Sequence, residues 1–325
     1  MLCQNPRSFN KKFPDAVHGC GGCLPCRVNQ RRVWAHRLML ESFCHEDNSF
    51  LTLTYSDDHL PTSFVNSKTG QVYADNSVNP DHHRLFINRF RTAFYRKYGR
   101  KLRFFAVGEY GEDTFRPHYH YALFGYPPCA NLEFRKLTRN FKPCNCPVCS
   151  FVSQHWGYGH IFLGDLNHES SNYVAGYVTK KLTSDNSDFQ SNILAGRHPE
   201  FSRSSNRPGI GSGVIDIIAT QLTLYGKDVK NELPNFLLHG SKQLPLGRYL
   251  TNKLQQRLEI TYDDNEKIKD LEKRMRSMLL HNRSNSQEIT KAAGNSLQIA
   301  MQFLKSQDCH NLTTRFSIFN KGNKL

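Results

Sequence analysis

In the segment "RPHYHYALFG" of this 325-residue sequence, His118 and His120 are separated by one residue. On an apolar strand both imidazoles project from the same face with Cα atoms ~6.6 Å apart, so the pair can chelate one divalent ion. Eight residues lie between Glu109 and His118, a spacing that suits a hairpin returning the carboxylate beside the histidines. Glu112 takes that place if the register differs. Two imidazoles and a carboxylate leave positions open to a substrate oxygen and suit Mg²⁺ or Mn²⁺. Further on, "NYVAGYVTKKL" sets Tyr173 and Tyr177 four apart on one helical face, with Lys180 a turn beyond and Lys181 beside it. A phenol with a pKa of ~10 is a poor nucleophile unless a metal polarises the phosphate and a cation stands close to the attack.

The cysteines form two sets. Cys20, Cys23 and Cys26 make C-x-x-C-x-x-C with Cys3 as a fourth thiolate, and Cys129, Cys144, Cys146 and Cys149 make the second. Four thiolates suit tetrahedral structural Zn²⁺, two ions in all, while spacing leaves Fe–S ligation open. Ten cysteines without an export signal fit reduced thiols better than disulfides. Cys44 and Cys309 stand apart and read as inert core residues.

Several elements must position these groups. The first cysteine set runs into "RVNQRRVWAHRLMLESF", where Val33, Leu38, Leu40 and Phe43 recur at helical spacing. "SFLTLTY" alternates Phe50, Thr52 and Thr54 with Leu51, Leu53 and Tyr55, as a half-buried strand does. After a polar loop, a helix places Leu85, Phe86, Phe90, Ala93 and Phe94 on one face and stops at Gly99. "LRFFAVGEYG" and "HYHYALFGY" read as a hairpin around "EDTFRP", "GHIFLGDL" as a strand and "SSNYVAGYVTKKL" as a helix. Trp156 and Tyr158 read as packing residues, with base stacking as the alternative. Residues 185–213 are polar and Gly-rich, helical patterns follow near 214–225 and 247–258, and 264–306 is charged and amphipathic.

Forty-three Lys and Arg against 28 Asp and Glu give a net charge of +15, which favours a polyanionic partner, nucleic acid first. Arg89, Arg91 and Arg96 belong to an acid-free basic run from Arg84 to Arg103. These three, with Lys181, Arg203 and Arg207, are the expected nucleic-acid contacts, although a charge run by itself does not locate a surface. Arg203 and Arg207 flank glycines able to approach a phosphate backbone, or simply form a surface turn. No span approaches the ~18 uncharged apolar residues of a membrane helix and the N-terminus lacks an apolar signal core, so a cytoplasmic protein without a membrane partner is expected.

Four segments, "FLTLTY", "GEY", "RPHYH" and "YVAGYVTKK", resemble in order the motifs of the HUH endonucleases. Within that family they look like the replication initiators of small single-stranded DNA phages of the gokushovirus type. "CGGCLPC" and "RPGIG" are similar to segments of the same phage proteins, and the resemblance extends to about residue 215. It implies an α+β fold with a central antiparallel sheet and flanking helices, His118 and His120 on a middle strand, and a tyrosine helix beside them. Tyr173 and Tyr177 match the two-tyrosine pattern, and Tyr177 with Lys180 also matches the Y-x-x-K form. The implied activity is a rolling-circle nick in single-stranded origin DNA that leaves a 5′-phosphotyrosine and a free 3′-OH. The implied partners are the host polymerase and helicase, in the bacterial cytoplasm if the protein is viral. The expected organisation is 1–45 as cysteine knuckle and entry helix, 46–213 as endonuclease domain with a cysteine-rich insertion at 127–150, and 214–325 as a mainly helical region. Competing readings are a non-catalytic zinc-dependent DNA-binding protein and a metallohydrolase that activates water at the histidines.

Overall fold

The computed structural model describes residues 3–5, 7–8, 17–66, 69–111, 114–138, 143–180, 194–224 and 233–260, with backbone alone at 7–8, 17–18 and 178–180. Glu112, Lys181, Cys309 and the amphipathic stretch 264–306 lie outside the described residues, as does the side chain of Lys180. The chain divides into two compact units, 1–30 with 259–325, and 31–258. In the first, Arg7–Ser8 pairs antiparallel with Val17–His18, and the cysteine-bearing turn leads into α1 (Leu24–Ser42), whose first turns belong to this unit.

The second unit is built on one five-stranded sheet. Its strands are β1 (Asn48–Tyr55), β2 (Arg103–Tyr110), β3 (Pro117–Phe124), β4 (Gly159–Asp165) and β5 (Phe201–Ser204), in the order β4-β1-β3-β2-β5. Every pairing is antiparallel. The helices of the layer are α2 (Pro80–Tyr98), α3 (Leu132–Thr138), α4 (Pro147–Trp156) and α5 (His168–Lys180). Beyond β5 come α6 (Ile215–Leu224), a hairpin of β6 (Phe236–His239) and β7 (Lys242–Pro245), and α7 (Gly247–Arg257). The α+β class with a central antiparallel sheet is as expected. β5 is a difference, because it forms an edge strand inside the polar stretch 185–213. Only Phe201 of its four residues is buried, too little for a period of two to register.

Strand alternation gives the sheet two faces with separate cores. Leu51, Leu53 and Tyr55 of β1, Tyr119 and Tyr121 of β3, and Phe104 of β2 pack with Phe86, Phe90 and Phe94 of α2 and Trp156 of α4. Trp156 is therefore a packing residue. The other face carries Phe105, Val107, Ala122 and Phe124, covered by Ala35 and Leu38 of α1 and by Val174, Ala175 and Tyr177 of α5. Helix α2 starts at an Asn79 cap that accepts from the Asp81 amide and ends at Gly99 with φ 67°, a left-handed position suited to glycine. Its buried face is His83, Phe86, Ile87, Phe90 and Phe94, with Leu85 and Ala93 only half buried. Gly159 lets β4 close onto β1: at φ +149° a Cβ there would stand 2.2 Å from the Ser56 nitrogen.

Two expectations are corrected. Cys44 is exposed, not a core residue; it follows the end of α1 and its thiol donates to the Leu40 carbonyl. Phe43, read as part of the apolar stripe, is 65% exposed because the helix ends at Ser42.

Candidate active site

Register sets the site. Glu109 of β2 lies opposite His118 of β3, and on the other side His118 pairs with Thr54 and His120 with Thr52 of β1. The odd-numbered β2 residues, the even-numbered β3 residues and the threonines share the face covered by α1 and α5. His120 Nε2 lies 2.6 Å from Glu109 Oε1, and both residues are buried. Thr52 Oγ1 is hydrogen-bonded to His120 Nδ1 at 2.9 Å and Thr54 Oγ1 to His118 Nδ1 at 3.0 Å. Each hydroxyl holds one ring nitrogen, so the Nε2 atoms are the ones turned toward the site. This is the arrangement a metal-ligating histidine needs from its surroundings. Two imidazole nitrogens and a carboxylate, oriented this way, fit a divalent cation of the Mg²⁺ or Mn²⁺ type with open positions. Burial, with the charges of His120 and Arg116, holds the His118 imidazole down at about 4, so it is neutral and able to ligate at physiological pH.

Helix α5 brings the phenols onto this face. The Tyr177 ring lies parallel to His120 at 9° with centroids 5.5 Å apart, and Phe50 stacks on His120 from β1 at 11° and 5.5 Å. Tyr173 stands edge-on to His120 at 5.4 Å and to Tyr177 at 4.9 Å. Tyr177 is 7% exposed and Tyr173 47%. The structure thus brings together Glu109, His118, His120, Tyr173 and Tyr177. Sequence reasoning missed Thr52, Thr54 and Phe50 as partners, though the alternation of β1 had already put the three on one face. It also missed Arg31 of α1, whose guanidinium carbon lies 3.5 Å from where a Cβ on Gly176 would stand, and Arg116, which donates to the Tyr55 carbonyl and pairs with Asp57 at 2.8 Å.

The expected nucleic-acid contacts lie elsewhere. Arg89, Arg91 and Arg96 belong to α2, on the opposite face of the sheet. Arg91 turns inward, donating to the Leu102 carbonyl and lying over the Phe104 ring. Arg203 lies over the Phe201 ring, which packs in the core beneath α2, and Arg207 is exposed in the turn before Gly209.

Both cysteine sets close. Within each, the four sulfurs lie within 4.8 Å of one another. Cys3 and Cys23 are 3.9 Å apart, Cys129 and Cys144 3.6 Å, and Cys129 and Cys146 4.0 Å. A tetrahedron with Zn–S bonds of ~2.3 Å has edges of ~3.8 Å, whereas a disulfide needs ~2.05 Å. Both sets can therefore hold zinc. Desolvation opposes ionisation of Cys20, but amide hydrogen bonds from Cys23 and Gly22 outweigh it and bring the thiol down to about 6. Cys146 also falls, to about 7: burial opposes this, but the Cys149 and Ala130 amides prevail. Cys146 is at the same time the N-cap of α4.

Residues 48–182 match the family model of the replication-associated proteins of the ORF2 type. The chain is 30% identical over 189 residues to replication-associated protein VP4 of Bdellovibrio phage phiMH2K, covering 57% of this chain and 55% of that protein. It is 35% identical over 164 residues to replication-associated protein ORF2 of Spiroplasma virus 4, covering 50% and 48%. With replication-associated protein ORF4 of Chlamydia phage 1 it shares 31% over 171 residues, covering 52% and 39%. The chain thus spans about half the length of these relatives, or less. No solved structure matches it. Among the described residues no helix is long and apolar enough to cross a membrane. The segment that holds the carboxylate, both histidines and both tyrosines is the one that matches the replication-associated protein family, and the chain is similar there to replication-associated proteins of small phages, as its motifs led one to expect.

Proposed function

We propose that this chain starts rolling-circle replication by nicking single-stranded origin DNA with a tyrosine. The observation that supports it most is the meeting of two phenols with a carboxylate–imidazole pair on one sheet face, Tyr177 parallel to His120 at 5.5 Å and Tyr173 edge-on to both. Glu109, His118 and His120 would hold Mg²⁺ or Mn²⁺, which when bound supplies a Lewis acid for the scissile phosphate. The tyrosine oxygen forms a bond to phosphorus and its proton passes to solvent. The 3′ oxygen leaves with the bonding electrons and takes up a proton, giving a 5′-phosphotyrosine and a free 3′-OH. Because the phosphodiester is exchanged rather than hydrolysed, a later 3′-OH can attack the phosphotyrosine and rejoin the strand. Tyr173 is half exposed and Tyr177 nearly buried, so an incoming strand meets the Tyr173 oxygen first. Lys180 and Lys181 are the proposed cations at the attack, and a host polymerase and helicase would use the 3′-OH.

The test is incubation with a random-sequence single-stranded DNA pool labelled at the 3′ end, in Mn²⁺, followed by boiling and a denaturing gel. A labelled band at protein mass is expected. Each single variant, Tyr173→Phe or Tyr177→Phe, should retain some adduct, and the double variant should form none. An adduct from the double variant would move the nucleophile elsewhere. Cleavage without an adduct would mean a water-activating hydrolase, and binding without cleavage a zinc-dependent DNA-binding protein.

A further inference from the structure

The basic run of α2 lies on the face of the sheet remote from the tyrosines, with the sheet and a helix layer between them, a separation on the order of 20 Å. Two members of the run are used inside the fold: Arg91 on the Leu102 carbonyl and Arg103 on Glu41. Arg84 pairs with Asp81 at the start of the helix. Arg89, Arg96, Lys97, Arg100 and Lys101 are exposed, and none of them has a carboxylate partner among the described residues. The neighbouring α4, "PVCSFVSQHW", carries no acidic residue either, so the only acid on these two helices is Asp81. We propose that this outer face of α2 is a second nucleic-acid surface and that its occupant is double-stranded DNA.

Charge density and shape favour the duplex. Arg89, Arg96 and Arg100 follow one another at i, i+7 and i+11, a stripe about 16 Å long at 1.5 Å per residue. A duplex presents one phosphate charge per ~1.7 Å of axis and a single strand one per ~3.4 Å, so the same stripe neutralises more charge on the duplex. A helix exterior is convex. A flexible strand laid on it would lose conformational freedom without the groove and stacked bases that offset that cost in single-strand sites. The nearby Tyr98 ring is already engaged, packed on Phe94 and Phe151 with Lys97 Nζ 5.3 Å above it. The sheet would then separate a face for duplex from a face for the opened strand.

The inference goes beyond strand cleavage and is tested by binding alone, so absence of a phosphotyrosine adduct would leave it standing. Fluorescence anisotropy of the full chain would compare a 20-base-pair duplex with an eight-nucleotide single strand across a salt series. Arg89→Gln/Arg96→Gln/Arg100→Gln should weaken duplex binding about tenfold or more and reduce the slope of log K against log salt by about 2 to 3. Single-strand binding should change less than about twofold. The matching Arg-to-Lys triple variant should restore duplex affinity, because the contacts are to charge rather than to base edges. Unchanged duplex affinity in the Gln variant, an equal loss on both probes, or failure of the Lys variant to restore binding would each overturn the proposal.

Discussion

Thr52 and Thr54 determine which nitrogen each histidine can offer, since their hydroxyls hold Nδ1 of His120 and His118 and leave Nε2 facing the site. Phe50 and Tyr177 clamp the His120 ring from both sides, so its orientation is fixed before any ligand arrives. Thr52→Val keeps the shape of the side chain and removes its hydroxyl. We expect that variant to need about 10- to 100-fold more Mn²⁺ for half-maximal adduct formation, with salt-sensitive DNA binding unchanged. An unshifted Mn²⁺ requirement would show that Thr52 does not position His120. The chemistry-bearing residues were legible in the sequence because strand and helix periods state which side chains share a face. The threonines lay on a suitable face too, but their role depends on the register between β1 and β3, and nothing local encodes a pairing between strands more than sixty residues apart.

At the level of elements, α4 shows how a cysteine set can do structural work. Cys146 caps the helix, accepting from the Cys149 amide, with Pro147 at the first position and Gly157 ending it at φ 69°. A thiolate at a helix N-terminus is stabilised by the amides there, in keeping with the lowered Cys146 thiol. The helix then delivers Trp156 into the core between Tyr55, Phe86 and Tyr119. Elemental analysis of protein purified under reducing conditions should find about two zinc ions per chain, and Cys146→Ser should lose about one. The same variant should melt earlier, because metal and cap go together. No bound metal would refute the assignment, and iron in place of zinc would redirect it to a cluster. The cysteine spacing announced these sets, and a sequence period announced α2. What α2 covers was not legible, because its 3.6-residue repeat tells which side is buried and not which face of the sheet lies beneath. The basic run was therefore seen, but its place behind the sheet was not.

Across the second unit, α1, the start of β2 and the turn after β5 are tied together by one buried carboxylate that sequence reasoning did not single out. Glu41, 2% exposed, accepts from the Gly211 amide at 2.6 Å, from His45 at 3.2 Å and from the Arg103 guanidinium. Burial pushes its pKa up, but the hydrogen bonds from His45, Arg103 and Gly211 and the charge of Arg103 outweigh burial and hold it at about 2, against an ordinary 4.5. A carboxyl depressed in the folded state stabilises the fold fully above its unfolded value, so this contribution is present above about 4.5 and is lost as pH falls toward about 2. Its size is of the order of 3 kcal/mol. His83, buried and hydrogen-bonded to the Tyr121 hydroxyl, acts in the same direction at higher pH. Desolvation, aided by the Arg203 charge, lowers it to about 4 from 6.5, so the unfolded chain takes up a proton that the folded chain resists and stability begins to fall below about 6.5. Urea unfolding of the wild type should therefore show a midpoint that declines in two stages on acidification, first between about 6.5 and 4 and then between about 4.5 and 2. Glu41→Gln keeps the volume and removes the charge. It should be less stable at neutral pH by ~2–3 kcal/mol and should lose the lower stage while retaining the upper. Parallel profiles for wild type and variant down to pH 3 would show that Glu41 is not the group that joins these three segments through its charge.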